Sequence, residues 1–171
     1  AFEALENTYT RNDNVLIVFE PNDGNVFSHE VLKLIEETTE KAWQIPYSNR
    51  VDSISNFQHT EAEEDDLIVR DLVINAEELS EQELDKIRDI AIAEPLLTNR
   101  LISDSGHVTA INVTVQLPRI NEMVETPEVV TYVRNLADEI RLTHPNVNVY
   151  LTGMIMMNNS FSESSKNDMA S

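Results

Sequence analysis

The order of elements readable in this chain repeats once, and that repetition limits the folds open to it. NVLIVFE (14–20) is a nearly continuous β-prone apolar run bounded by polar NDN and by PNDG, the pattern of a central strand covered on both faces or nearly so. Ser28 then stands where an N-cap is needed, and Val31, Leu34, Ile35, Ala42 and Ile45 fall on one helical stripe closed by Pro46. RVDSISNFQ (50–58) alternates imperfectly and reads as a strand. Later in the chain, residues 107–117 form a long, strongly β-branched run with apolar Val108, Ala110, Ile111, Val113, Val115 and Leu117. Thr126 as N-cap and Pro127 at the first helical position open a second helix, whose stripe is Val129, Val130, Val133, Leu136, Ala137 and Ile140. VNVYLTG (147–153) closes the series as a short strand.

Strand–helix–strand, given twice, predicts an α+β fold of the ferredoxin-like, split βαβ kind: a four-stranded antiparallel sheet with both helices on one face. The expected core spans about 12–59 and 106–153 of a single domain (1–171), with an inserted hairpin and helix at about 60–105. Within the insertion, DLIVRDLVI (66–74) is expected to pair with 50–58, leaving the acidic stretch HTEAEEDD as an eight-residue tip. Ser80 and Glu83 make a capping box before LDKIRDIAIAEP, which turns Leu84, Ile87, Ala91 and one of Ile90 or Ile92 inward until Pro95 stops it. LLTNRLISDSGHVTAINVTVQLP (96–118) reads as a second hairpin turning at DSG. No tandem sequence repeat accompanies the repeated order of elements.

Composition narrows the function classes. Thirty-one acidic residues against 12 basic give a formal charge of −19, a surface that repels phosphate backbones, so nucleic acid is a poor partner. Absence of cysteine removes disulfides, thiolate metal sites and cysteine nucleophiles. No apolar run approaches the roughly 18 to 20 residues that span a bilayer. EAEEDD (61–66) lacks the alternating ligands and turn glycine of an EF-hand loop and reads as a solvated hairpin tip. His29, His59, His107 and His144 are scattered, without metal-ligand spacing, and read as surface or cap residues. There is no GxSxG elbow, and Gly24, Gly106 and Gly153 stand apart, which excludes glycine-rich phosphate cradles. No catalytic, metal or cofactor site assembles, and an enzyme is not expected.

One segment, GMIMMNNSF (153–161), has two readings. Successive Met and Ile after a strand end suit a buried plug, yet flexible thioethers also suit a surface that adapts to apolar ligands. Under the second reading Met154, Ile155, Met156, Met157 and Phe161 are the candidate contact residues. Trp43, beside Pro46 and Tyr47, is expected to pack in the core.

Five stretches together, TRNDNVLIVFEPNDGNVFS, EKAWQIPYSNRVDSISNFQHT, DDLIVRDLV, NRLISDSGHVTAINVTVQLP and LTGMIMMNNSF, resemble the first large extracytoplasmic loop of RND-superfamily exporters of the mycobacterial-membrane-protein-large or Patched-like branch. The resemblance covers roughly residues 7 to 170 and is most specific in IPYSNRVDSISNFQHT and LISDSGHVTAINV. It implies a ferredoxin-like porter domain in the periplasm, belonging to a proton-driven efflux transporter of the bacterial inner membrane. Its partners would be the transmembrane helices and second extracytoplasmic loop of the same transporter, with a hydrophobic or amphiphilic cargo such as a lipid, and a homo-oligomer is compatible with it. It also implies a membrane helix before Ala1 and another after Ser171, with 154–171 as the lead-in to the latter, and proton-relay residues inside those helices. A free-standing ferredoxin-like module that binds a small ligand is the alternative that composition and fold permit.

Overall fold

The computed structural model describes residues 13–160. Its main sheet has four antiparallel strands: β1 (Asp13–Pro21), β2 (Ser48–Asp52), β5 (Thr109–Val115) and β6 (Val147–Thr152), in the spatial order β2-β5-β1-β6. Chain order 1, 2, 3, 4 thus becomes 2-3-1-4 in space, compatible with the ferredoxin-like arrangement of two interlocked βαβ halves. A separate two-stranded hairpin, β3 (Gln58–Glu63) with β4 (Asp66–Asp71), lies between β2 and β5 in sequence. So does helix α2 (Glu81–Ala93).

The register explains the core. Ile17 stands opposite Ile111, and Val15 opposite Val113, on β5; Phe19 stands opposite Val149 on β6. These residues share one face of the sheet and are all buried. The stripes of α1 (His29–Ala42) and α3 (Glu122–Thr143) join the same core: Val31, Leu32, Leu34 and Ile35 from one, Val129, Val130, Val133 and Leu136 from the other. Each such side chain contributes on the order of 1.5–3 kcal/mol on burial. Helix starts follow their caps. Ser28 Oγ accepts the Val31 N–H at 3.2 Å, and Ser80 Oγ accepts the Glu83 N–H at 3.2 Å. Leu84, Ile87 and Ala91 of α2 are buried, while Ile90 and Ile92 are both partly buried against the core.

Five expectations are corrected. The strand expected over 50–58 ends at Asp52, because Asn56 folds the chain back on itself: its Nδ2 donates to the Val51 carbonyl at 2.7 Å and its Oδ1 accepts the Ser53 N–H at 2.9 Å. The hairpin therefore starts at Gln58, and the eight-residue tip becomes a two-residue turn at Glu64 and Asp65, with Glu64 at φ 55°. The strand expected before DSG is reduced to isolated bridges at Thr98, Ile102 and Thr109. There the Leu97 carbonyl gathers the N–H groups of Arg100, Leu101 and Ile102, and Asn99 takes a left-handed φ of 64°, which winds the chain instead of extending it.

Helix α3 starts at Glu122, a turn before Pro127. The cause is Glu125, whose carboxylate accepts the backbone N–H groups of Arg119, Ile120 and Asn121 at 2.9, 3.0 and 2.9 Å. Those donors would otherwise be orphaned at the helix start. Finally, Trp43 is not packed in the core but 49% exposed at the end of α1.

Candidate functional site

The candidate contact segment is helical from residue 154 to residue 160. Gly153 makes the corner that starts it, at φ +104°, and a Cβ there would lie 2.7 Å from the Asn14 carbonyl oxygen. Only glycine fits so close a crossing of two backbones. Helical spacing then divides the apolar residues. Ile155 is buried in the core at 1% exposure and Met156 packs against it, while Met154 and Met157, three positions apart, face outward with Met157 55% exposed. Phe161 lies outside the described residues. Ile155 and Met156 thus serve as a plug, while Met154 and Met157 lie at the surface.

Met154 and Met157 are not alone. β1 begins, β2 begins, β5 ends and β6 ends at the same pole of the sheet, as the pairings Asp13↔Val115, Ser48↔Val115 and Leu16↔Thr152 require. The Met154 N–H donates to Asn14 Oδ1 at 3.0 Å, so the entering strand and the leaving helix are tied together there. The segment after β5 adds Ile120, Met123 and Val124, with Ile120 88% and Met123 76% exposed. Trp43, where α1 ends ahead of β2, belongs to this pole too.

Polar groups among these apolar ones are held in place. Asp13 is raised from its ordinary value mainly by burial, against the opposing pull of Arg119 at 3.9 Å, with Glu122 adding to the rise. Tyr47 donates its hydroxyl to Glu128 at 2.8 Å, which raises its pKa. Glu125, accepting the three N–H groups at the start of α3, is lowered, with the Asn121 bond the largest cause.

A second feature lies on the sheet face away from the helices. Leu16 of β1, Asn112 of β5, and Arg50 and Asp52 of β2 form the floor of a groove of about 530 Å³. The wound segment after α2 supplies Leu96, Leu97, Arg100 and Leu101 as one wall, and the turn from Ser53 to Gln58 supplies the other. None of these residues stood out in the sequence as part of a site. LLTNRL looked like strand, and no local pattern places Arg100 near Leu16, 84 positions away.

The remaining candidates stay separate. EAEEDD straddles the hairpin turn, and Glu61 is lowered by its bond and ion pair to Lys86 at 2.8 Å, a contact between hairpin and α2. His29 meets the Leu79 carbonyl at 2.6 Å and His144 caps α3. Among the described residues no group of three or more His, Asp or Glu could hold a metal ion, and no helix is long and apolar enough to cross a membrane. The chain matches no protein-family model, no curated protein and no solved structure.

Proposed function

We propose that this chain is the periplasmic porter domain of a proton-driven, RND-type exporter of hydrophobic or amphiphilic molecules, lipids among them. Two lines support the reading: the five sequence stretches that resemble the first extracytoplasmic loop of such exporters, and the geometry of one pole. The observation that carries it is that strand β1 enters and the 154–160 helix leaves side by side, joined by the Asn14–Met154 bond, at a pole bearing exposed Ile120, Met123, Val124, Met154, Met157 and Trp43.

A loop held between two membrane helices needs both ends at one place, and the surface facing the bilayer tolerates apolar side chains and an interfacial Trp. In this reading the domain lines or gates the route by moving as a rigid body against the rest of the transporter, with coupling to protons located in the membrane helices. The test is the intact gene and its product. Hydrophobic spans immediately flanking this segment, and recovery of the full product in the inner membrane, are expected; absence of flanking spans ends the proposal.

The second reading, a free-standing module that binds a small ligand, is favoured by one observation, the groove on the open sheet face. A native reading frame ending near Ser171 would select it.

A further inference from the structure

The groove has a charge balance opposite to that of the chain. Overall there are 31 acidic residues to 12 basic, yet the groove is lined by two arginines and a single carboxylate, Asp52. Asp52 is taken: its Oδ1 accepts from Arg50 Nε at 2.9 Å. The Arg100 backbone N–H goes to the Leu97 carbonyl, but its guanidinium has no hydrogen bond or ion pair among the described residues, so its fork of N–H donors is open. The neighbouring polar groups are largely committed. Asn56 is spent on its own turn, and Asn112 Oδ1 accepts from Asn14 Nδ2 at 2.9 Å, which leaves the Asn112 amide N–H donors near the floor. Beside this open guanidinium run the apolar side chains of Leu16, Leu96, Leu97 and Leu101. The volume, about 530 Å³, falls within the range of roughly 300–1,000 Å³ in which proteins hold small molecules.

An apolar trough lined also by an unpaired guanidinium matches one ligand chemistry, an alkyl or acyl tail carrying an anionic head. We infer that this groove binds an anionic amphiphile, its tail along the leucines and its head group on Arg100. A free inorganic anion leaves the leucines uncovered, and a neutral surfactant leaves Arg100 unpaired. The charge of −19 opposes any anion at long range. At physiological salt, however, charges beyond about 8 Å are largely screened, so the local excess of one guanidinium governs. As a statement about cargo the inference rests on the porter reading; as a statement about binding it stands on the groove alone.

The test is calorimetric titration of the 171-residue chain with dodecyl phosphate, dodecyl maltoside and inorganic phosphate, the surfactants kept below micelle formation. Dodecyl phosphate is expected to bind saturably, dodecyl maltoside about tenfold more weakly, and inorganic phosphate without saturation, as loss of one charge-assisted contact predicts. Arg100→Gln is expected to bring dodecyl phosphate down to the level of the maltoside, and Leu96→Asn to weaken both. Arg70→Gln, on the separate hairpin, is expected to change neither. Equal affinity for the two surfactants, an Arg100→Gln variant that binds like the parent, or inorganic phosphate competing as strongly as the alkyl phosphate would each overturn the inference. If flanking membrane spans are missing while Arg100-dependent binding persists, the exporter reading fails and the groove stands. If spans are present and binding is absent, the groove fails alone.

Discussion

Asn14 Oδ1 accepts the backbone N–H of Met154 at 3.0 Å while Asn14 Nδ2 donates to Asn112 Oδ1 at 2.9 Å. One amide therefore ties the first strand to the last helical segment and to the floor of the groove. Asn14→Ala removes both bonds and is expected to lower stability by about 1–2 kcal/mol. Urea unfolding measures it, and faster exchange of the Met154 amide locates it; an unchanged midpoint would mean that water replaces both contacts without cost.

The apolar segment after Gly153 gives opposite expectations for neighbouring residues. Met157→Lys, at an exposed position, is expected to change the stability of the isolated domain by no more than about 0.5 kcal/mol. Ile155→Ala, in the core, is expected to cost about 2–5 kcal/mol. If the proposed exporter reading holds, Met157→Lys in the full-length protein is expected to reduce export despite its normal fold, because a desolvated apolar path would tolerate charge poorly. Normal export by a well-expressed Met157→Lys protein would remove this residue from the path.

Gly153 and Gly106 hold left-handed conformations, at φ +104° and +72°, each with a close neighbour: Asn14 O at 2.7 Å and Phe27 Cε2 at 3.2 Å from the position of an added Cβ. Gly153→Ala, facing rigid backbone, is expected to cost roughly 1–3 kcal/mol. Gly106→Val is expected to be at least as damaging, since a β-branched residue is poorly tolerated at positive φ. Thermal unfolding of the two variants checks both, and parent-like melting of Gly106→Val would refute the turn assignment.

Glu125 supplies a pH dependence. Its carboxyl is held below its ordinary value of 4.5, chiefly by the Asn121 N–H and also by those of Arg119 and Ile120. A depressed folded-state value stabilises the fold fully above the unfolded value and ceases to do so as pH falls through the folded one. Glu125→Gln is accordingly expected to melt lower than the parent at pH 7, with the gap closing as pH falls below about 4.5. A gap that stays constant to pH 2 would show that shape, not charge, carries the contact.

Calcium is expected to do nothing. EAEEDD lies on two strand ends and a tight turn, with Glu61 engaged by Lys86, and no three of its carboxylates form a cation-holding group. Melting curves with chelator and with millimolar calcium should superimpose; a calcium-dependent rise would restore the acidic tip as a binding site.

The sheet and its helices were legible because their signals are local. Ser28 and Ser80 cap where their spacing says, and the odd-numbered residues of β1 and β5 carry the burial. The hairpin was misplaced because it presents no apolar alternation to a core: Leu67 and Val69 are exposed, so the period-2 signal that locates a strand is missing. The start of α3 was missed because Glu125 caps it from inside the first turns, whereas Thr126-Pro127 is the louder local pattern. The division of GMIMMNNSF into core and surface depended on the helical phase set by Gly153. The groove was illegible for a different reason, since Leu16, Arg50 and Arg100 meet only through the sheet order and the winding at Leu97.

The pairing of β1 with β6 has a mechanical consequence. The two strands are antiparallel, and their free ends leave from the same pole, with Leu16↔Thr152 as the outermost pair. A pull that separates those ends loads the ladder as a zipper, one rung after another, in place of shearing all its rungs together. Resistance is then low and begins at the Asn14–Met154 clasp, followed by the Leu16 rung. Because Leu16 also floors the groove, tension applied at the pole reaches the groove before it reaches α1, α2 or α3.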